Sequence, residues 1–357
     1  SGGEVVLGWL ERTAAAAAAV PFGFAYVSRT AVLTWMFTAG AYLIAAGWWR
    51  GRPTARPSGS TRSKAGVPLR DVAGVGVALA VLIGAPAIAR PDGNGDVEIH
   101  AIDVGQGDAF AIRLPEGRWV LVDAGPFMEG FDAGRARVVP FLLRQGVDRV
   151  DALILTHPHA DHIGGTAALL EAVEVASIFD PSIPSGERLY AETLSRAAAE
   201  GTRWFAARDG REIRFGEVTI RFLAPREEEA LDAPEDPNDF SVVFRLTYGR
   251  AGALFMGDAP EQVENELVAR HGPRLAADVL KVGHHGSRTS TGDSLLAAVH
   301  PRLALVSVGR WNRYGHPNAG VLARLAGHGV RVLRTDERGN VSVRLRASGE
   351  ITLSSTR

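Results

Sequence analysis

The sequence predicts a mixed α/β sandwich preceded by two membrane-spanning helices. Three observations carry this reading. Two stretches near the start, residues 30–49 and 72–89, run for twenty and eighteen residues without a charge. After residue 96, short β-rich segments follow one another with helical patterns interspersed, which suits packed mixed layers better than a doubly wound sheet. Several of those segments also run directly into histidines and aspartates.

In chain order, residues 1–29 are Ala-rich, apolar and interrupted at Pro21, and are expected to rest on a membrane surface. Twenty residues at 1.5 Å rise give about 30 Å of helix, so residues 30–49 are long enough to cross a bilayer core. They end in Trp48-Trp49-Arg50, an aromatic and cationic boundary. Residues 50–71 are rich in Pro, Gly and Ser. Six basic residues and no acid fall between Arg50 and Arg70, so this loop is expected in the cytoplasm. Residues 72–89 span about 27 Å by the same rise and lead the chain outward. The competing reading makes the two stretches buried helices of a soluble domain, or the second a signal peptide. PDGNGD (91–96) is a linker, and a start at Ser1 suggests a fragment or a processed product.

The domain at 96–357 opens with strands at 97–104, 109–114 and 119–123, separated by GQGD and PEGR turns and expected as an antiparallel meander. A helix over 137–145, a buried strand over 152–155 and a helix starting near 163 follow. Further strands are expected at 217–222, 241–247, 253–255, 279–282, 303–307, 330–333 and 341–345. No internal repeat is visible.

Composition narrows the function classes. With no cysteine, disulfide frameworks and thiolate metal sites are excluded. Net charge is -1, but residues 1–95 hold nine basic against four acidic side chains, leaving 30 against 36 for the remainder. A domain at -6 is not the usual footprint of tight, non-specific nucleic-acid binding. Neither a GxxxxGK[ST] phosphate loop nor a GxSxG nucleophile elbow occurs.

The chemistry concentrates in THPHADHIGG (156–165). His157, His159, Asp161 and His162 fall in six positions between a strand and a helix, where several side chains can aim into one cleft. Imidazole and carboxylate ligands suit Zn, Mn or Fe. Other ligand types also stand at strand ends: Asp258 in ALFMGDAP, His284 and His285 in LKVGHHGS, and His316 in RYGHPN. His100, His271, His300 and His328 lack that context and read as core or surface residues.

THPHADHIGG resembles the HxHxDH signature of the metallo-β-lactamase superfamily, whose fold is an αββα sandwich with two metals at one edge. HAIDVGQGDAFAIRLPEGRWVLVDAGP (100–126), MGDAP, LKVGHHGS and NRYGHP together resemble the C-terminal domain of ComEC-type DNA-uptake channel proteins. This likeness covers about residues 97–345. Residues before it match by position and character only, and the family's channel portion has no counterpart here.

The resemblance implies two divalent ions, Zn2+ or Mn2+. His157 and His159 would hold one, Asp161 and His162 the other, with Asp258 bridging and His316 as the last ligand. No histidine occurs from Ile163 to Arg270, so the superfamily's usual third histidine is missing there. That role passes to His285, with His284 facing phosphate or handling a proton, or the reverse. Asp161, Asp258 and His284 are the catalytic positions so implied. Two cations about 3.5–4 Å apart lower the pKa of a water and neutralise phosphoryl oxygens, which suits hydrolysis of an anionic diester. Asp123 in VLVDAG matches a position that orients ligands. Asp103, with Asp108, supports the same edge or only forms a turn.

Substrate contacts are expected from Ser287 and Arg288 and from the cationic, aromatic run Arg310, Trp311, Asn312, Arg313 and Tyr314. Asn238 and Ser241 either bind phosphate or cap a strand. Lys281 has no role beyond a possible phosphate contact. The resemblance thus implies a membrane-anchored phosphodiesterase on the outer face of the cell membrane. It would degrade one strand of incoming DNA, beside other competence proteins and a channel portion outside this chain. The rivals are another hydrolase on the same scaffold, for a lactone or a phosphocholine ester, and a non-catalytic domain that guides DNA.

Overall fold

Alternation along the chain builds two sheets that face each other. In Val97–Ala101, Val97, Ile99 and Ala101 turn to one side, into the core between the sheets, while Glu98 and His100 turn to the other, where His100 is buried against Trp119 and Phe141. The computed structural model describes residues 94–229 and 235–356. The chain divides after Ala89, and every described residue lies in the second unit, Arg90–Arg357.

In chain order, β1 (Val97–Ala101), β2 (Phe110–Arg113), β3 (Trp119–Val122), β4 (Ala152–Ile154), β5 (Ser177–Asp180) and β6 (Arg203–Ala206) form most of the first sheet. β7 (Glu212–Phe215), β8 (Val218–Ala224), β9 (Val243–Tyr248), β10 (Ala251–Phe255), β11 (Val279–Lys281), β12 (Leu303–Val306) and β13 (Arg331–Arg334) form the second. β14 (Asn340–Leu345) and β15 (Ile351–Thr356) return to the first. The orders are β6-β5-β4-β3-β2-β1-β14-β15 and β7-β8-β9-β10-β11-β12-β13. Each sheet is antiparallel at one end and parallel at the other, the change falling between β3 and β4 and between β10 and β11.

The core between the sheets interleaves Ile99, Phe110, Ile112, Val120 and Ile154 with Ile220, Phe222, Phe244, Phe255 and Leu305. Outer faces are covered separately. Leu121, Leu153 and Ile178 pack with α1 (Val139–Arg144), α3 (Thr166–Ala172) and α4 (Arg188–Ala199), while the short α2 (Ala160–Ile163) precedes α3. Leu254, Leu280 and Ala304 pack with α5 (Glu261–His271), α6 (Asp293–Val299) and α7 (Ala319–Gly327). The result is helix, sheet, sheet, helix: the αββα sandwich expected from the resemblance.

The differences from the sequence reading are local and have causes. The first strand stops at Ala101 because residues 102–109 fold back, with Ile102 N–H donating to Ala109 O. β3 stops at Val122 because Asp123 takes a left-handed φ of 57°. The single helix expected near 163 is two short ones separated by Gly164 and Gly165. A Cβ on Gly165 would lie 2.2 Å from Ala124 O, so the chain crosses there only as glycine. β5, β6, β7 and β15, and α4 to α7, were not read from the sequence. Most of those strands are only four residues long and carry too few alternations to reveal a period.

The interfacial segment at 1–29, the helices at 30–49 and 72–89 and the loop at 50–71 lie outside the described residues. Among the described residues, no helix is long and apolar enough to cross a membrane.

Candidate metal centre

The site lies where the two sheets present the C-terminal ends of β3 and β4 and of β10, β11 and β12. Loops leaving parallel strands at that edge carry side chains toward a common crevice. The crevice, of about 400 Å3, is lined by His159, Asp161, Asp258, His284, His285 and His316, with Asn238, Tyr314, Gln106 and Glu187 also in its wall. His157, His162, Asp258 and His285 are buried, and Asp161, His159, His284 and His316 are half-exposed.

Backbone conformation at the site is costly. Asp123, His284 and His285 all have left-handed φ, at 57°, 46° and 52°. Non-glycine residues adopt such conformations only where the surroundings hold them, and they cluster at functional sites.

Hydrogen bonds fix which nitrogen of His162 and of His285 is free. Asp123 Oδ1 accepts from Thr156 N–H at 2.8 Å, and Asp123 Oδ2 accepts from Thr156 Oγ1 at 2.7 Å and from His162 Nδ1 at 2.8 Å. His285 Nδ1 donates to the carbonyl of Ser307 at 2.9 Å, with Asp108 Oδ1 at 3.3 Å. A carbonyl or a carboxylate only accepts, so Nδ1 carries hydrogen in both rings. The Nε2 atoms are left for a ligand. They lie 3.3 Å (His162) and 3.4 Å (His285) from Asp258 Oδ2, and both are buried with no hydrogen bond. Three ligand-type atoms aimed at one another around a point suit a cation, and the donors are those of a hard-to-borderline divalent ion. Asp161 Oδ2 joins at 3.5 Å from His285 Nε2 and 4.0 Å from His162 Nε2, and His284 Nε2 stands 3.7 Å from Asp258 Oδ2.

Electrostatics agree. Burial opposes the charge on His162 and His285, yet the facing carboxylates outweigh it. Asp258, Asp123 and Asp161 lift His162 well above the ordinary imidazole value, and Asp258 and Asp108 lift His285 to about 10. Burial likewise favours the neutral acid at Asp258, but His285, His162 and Lys281 hold it well below the usual carboxylate range. His157, dominated by burial, is pushed well below the ordinary value. Strongly anionic surroundings at the Nε2 atoms are what a bound cation would experience.

Residues 102–310 match the Metallo-beta-lactamase superfamily. The chain belongs to that superfamily. Among curated relatives it is 36% identical over 259 residues to ComE operon protein 3 of Bacillus subtilis (strain 168), covering 69% of this chain and 33% of that protein. It is 33% identical over 262 residues to Competence protein ComA of Neisseria gonorrhoeae, covering 73% and 34%. It is 31% identical over 246 residues to Recombination protein 2 of Haemophilus influenzae (strain ATCC 51907 / DSM 11121 / KW20 / Rd), covering 69% and 28%. The chain therefore spans about a third of the length of these relatives. The superfamily fold implies divalent metal ions, and the clusters His157–His162–Asp258 and Asp161–His162–His285 have the atoms to hold them.

Several residues expected at the metallo-β-lactamase site take other places. Asp103 does not reach it: its carboxylate accepts from Gly105 N–H at 3.2 Å and faces a separate hollow that it shares with Arg310. The expected neighbour, Asp108, is the one against His285 and Lys281. Arg310 donates through Nε to Asp336 O, away from the crevice. Asn312 ties its own loop, giving Nδ2 to Gly309 O and His316 O and taking His316 N–H on Oδ1. Ser241 is buried and accepts from Asp258 N–H at 3.1 Å, so it supports the carboxylate from behind. Ser287 is buried beside Thr289 and Arg288 is exposed outside the crevice wall. Only Asn238 and Tyr314 of the expected substrate contacts line it. His159 sits with Nδ1 3.0 Å from His157 Nε2, and His316 has its ring 5.8 Å from that of His284.

Lys281, expected at most to contact phosphate, is instead buried against Asp108 and Gly257 O. Gln106 and Glu187 stand in the crevice wall without any sign in the sequence, since polar residues in turns are ordinary.

Two outcomes follow from the supports of the site. Asp123→Ala removes the acceptor that holds Thr156 and the His162 ring, and is expected to weaken metal affinity by about 10–100-fold, read by competitive chelator titration. A second concerns the segment after HHGS. Buried Glu264 accepts from Thr291 N–H and Gly292 N–H at 2.6 and 2.8 Å, and burial outweighs these bonds to raise its carboxyl from 4.5 to about 7. The folded chain thus holds this proton more tightly than the unfolded chain. The contribution is full below pH 4.5 and disappears as pH rises through about 7, a change of roughly 3 kcal/mol. Urea unfolding of the wild type and Glu264→Gln at several pH values checks it: the variant should lack that part of the decline.

Proposed function

We propose that the chain is the hydrolase portion of a competence-type DNA-uptake protein and that its crevice cleaves phosphodiester bonds of single-stranded DNA. The observation that carries the reading is the convergence of His162 Nε2 and His285 Nε2, from opposite sheets, on one oxygen of Asp258. The relatives named for competence and for the ComE operon support the setting in DNA uptake. In this reading the segments at 30–49 and 72–89 anchor the chain in the cell membrane, and the hydrolase lies on the outer face. The DNA strand not transported is the one degraded, alongside other competence proteins.

Two divalent ions, Zn2+ or Mn2+, would be held by His157, His159, Asp161, His162, Asp258, His285 and His316, and when bound would supply Lewis-acid neutralisation and activation of a water. The chain's own residues do the rest. Asp258, its backbone N–H held by Ser241, presents Oδ2 between the imidazoles. His284 is half-exposed, and burial keeps its ring below the ordinary imidazole value, so it meets substrate neutral and can take a proton at Nε2. Tyr314 stacks on His316 at 5.8 Å and 17°, with the Arg313 guanidinium 5.5 Å from its centre, and Trp311 is 92% exposed. This aromatic, cationic rim suits unstacked bases and phosphates.

The test is turnover by the full chain, with Mn2+ or Zn2+, on single-stranded DNA, duplex DNA, a lactone and a phosphocholine ester. Cleavage of single-stranded DNA is expected. Turnover confined to the lactone or choline ester replaces the nuclease with another hydrolase of this scaffold. DNA binding without turnover of any of them leaves a guiding domain.

A further inference from the structure

Four groups among the described residues bring three ligand-type atoms within reach of one cation. They are not equivalent. His157–His162–Asp258 and Asp161–His162–His285 draw on the free Nε2 atoms at the crevice. Asp108–Asp123–His162 lies on the Nδ1 side of His162, where the bond to Asp123 already uses that nitrogen. The fourth, Asp108–Asp258–His285, contains a lysine.

Lys281 ends β11. Val279 of the same strand packs between the sheets and Leu280 against the helices, so Lys281 points inward with Val279, at the margin of the apolar core. The Lys281 side chain is 2% exposed. It pairs with Asp108 Oδ2, donates to Gly257 O at 2.7 Å and stands 3.5 Å from Asp258 Oδ1. Three N–H groups thus meet three acceptors. Buried charge is retained only when so paired.

We propose that Lys281 is a resident cation of the metal centre. Its ammonium fills the carboxylate group of Asp108 and Asp258 that would otherwise draw in a further divalent ion. By holding Oδ1 of Asp258 it leaves Oδ2 as that residue's single oxygen for the metals. This rests on the metal-centre reading above. An ammonium balances one unit of charge without coordinating anything, so the four carboxylates Asp108, Asp123, Asp161 and Asp258 are partly neutralised before any metal binds. Lys281 is therefore a positioning residue that sets both the number of ions and the face Asp258 turns to them.

The full chain loaded with Mn2+ and examined by anomalous diffraction should show ions at Asp258 Oδ2 and none between Asp108 and Asp258 Oδ1. After dialysis against Mn2+, Lys281→Ala should hold one more ion per chain than the wild type. The neutral, volume-matched pair Asp108→Asn with Lys281→Met should show no gain. An ion beside Asp108 in the wild type, or a folded Lys281→Ala chain with the wild-type ion count, overturns the proposal. Should Lys281→Ala not fold, the wild-type map decides alone. Absence of ions everywhere removes the metal-centre reading and this one with it, whereas ions at Oδ2 plus one beside Asp108 remove this one alone.

Discussion

Replacing Asp258 with alanine is expected to abolish both metal retention and hydrolysis. Asp258 is buried, and its Oδ2 lies 3.3, 3.4 and 3.7 Å from Nε2 of His162, His285 and His284. No other side chain among the described residues faces all three of those nitrogens. Without it, the imidazoles repel one another across the gap and lose the charge that makes them a cation site. Loss of one preorganised charged group at a reacting centre costs on the order of 10^2–10^3 in kcat. Loss of the ions it gathers should exceed that. Asp258→Asn keeps the shape and removes the charge, so it separates packing from electrostatics and should be nearly as inactive. The measurements are metal content after dialysis and turnover of single-stranded DNA. A folded Asp258→Ala chain with wild-type ion content and turnover would mean that the carboxylate has no part in the centre.

Stripping the ions by chelation is expected to stop turnover reversibly and to lower Tm while leaving the fold intact. The metal-free site is not left unbalanced, because Lys281 faces Asp108 and Asp258 while carboxylates hold His162 and His285 in their protonated forms. Protons and an ammonium then carry the charge that metals would carry. Ions present at about a thousand times their dissociation constant stabilise the folded chain by about 4 kcal/mol. For a domain of this size that corresponds to a Tm rise of roughly 10 °C. Calorimetry with and without chelator, together with far-ultraviolet circular dichroism, checks both halves. Turnover and Tm indifferent to chelation would rule out a metal-dependent reaction.

Much of the layering was legible because it is a matter of period. Val97, Ile99 and Ala101 alternate with polar neighbours, and β10 is a short apolar run that leads into Asp258. Strand ends bearing His157, Asp258 and His285 could therefore be picked out before any contact was known. What periodicity could not reach was short or irregular: β5 and β6 are four residues each, and the turn at 102–109 follows no repeat.

The sequence by itself determined which side chains are able to hold a cation and that they stand where strands run out, because residue type and local pattern decide both. Only the tertiary structure decided that Asp108 rather than Asp103 reaches the centre, that Ser241 braces Asp258 from behind, and that Lys281 ends between two carboxylates. Those outcomes depend on how two separate sheets pack face to face. The partners come from distant parts of the chain, so their meeting is set by the geometry of the sandwich rather than by spacing along it.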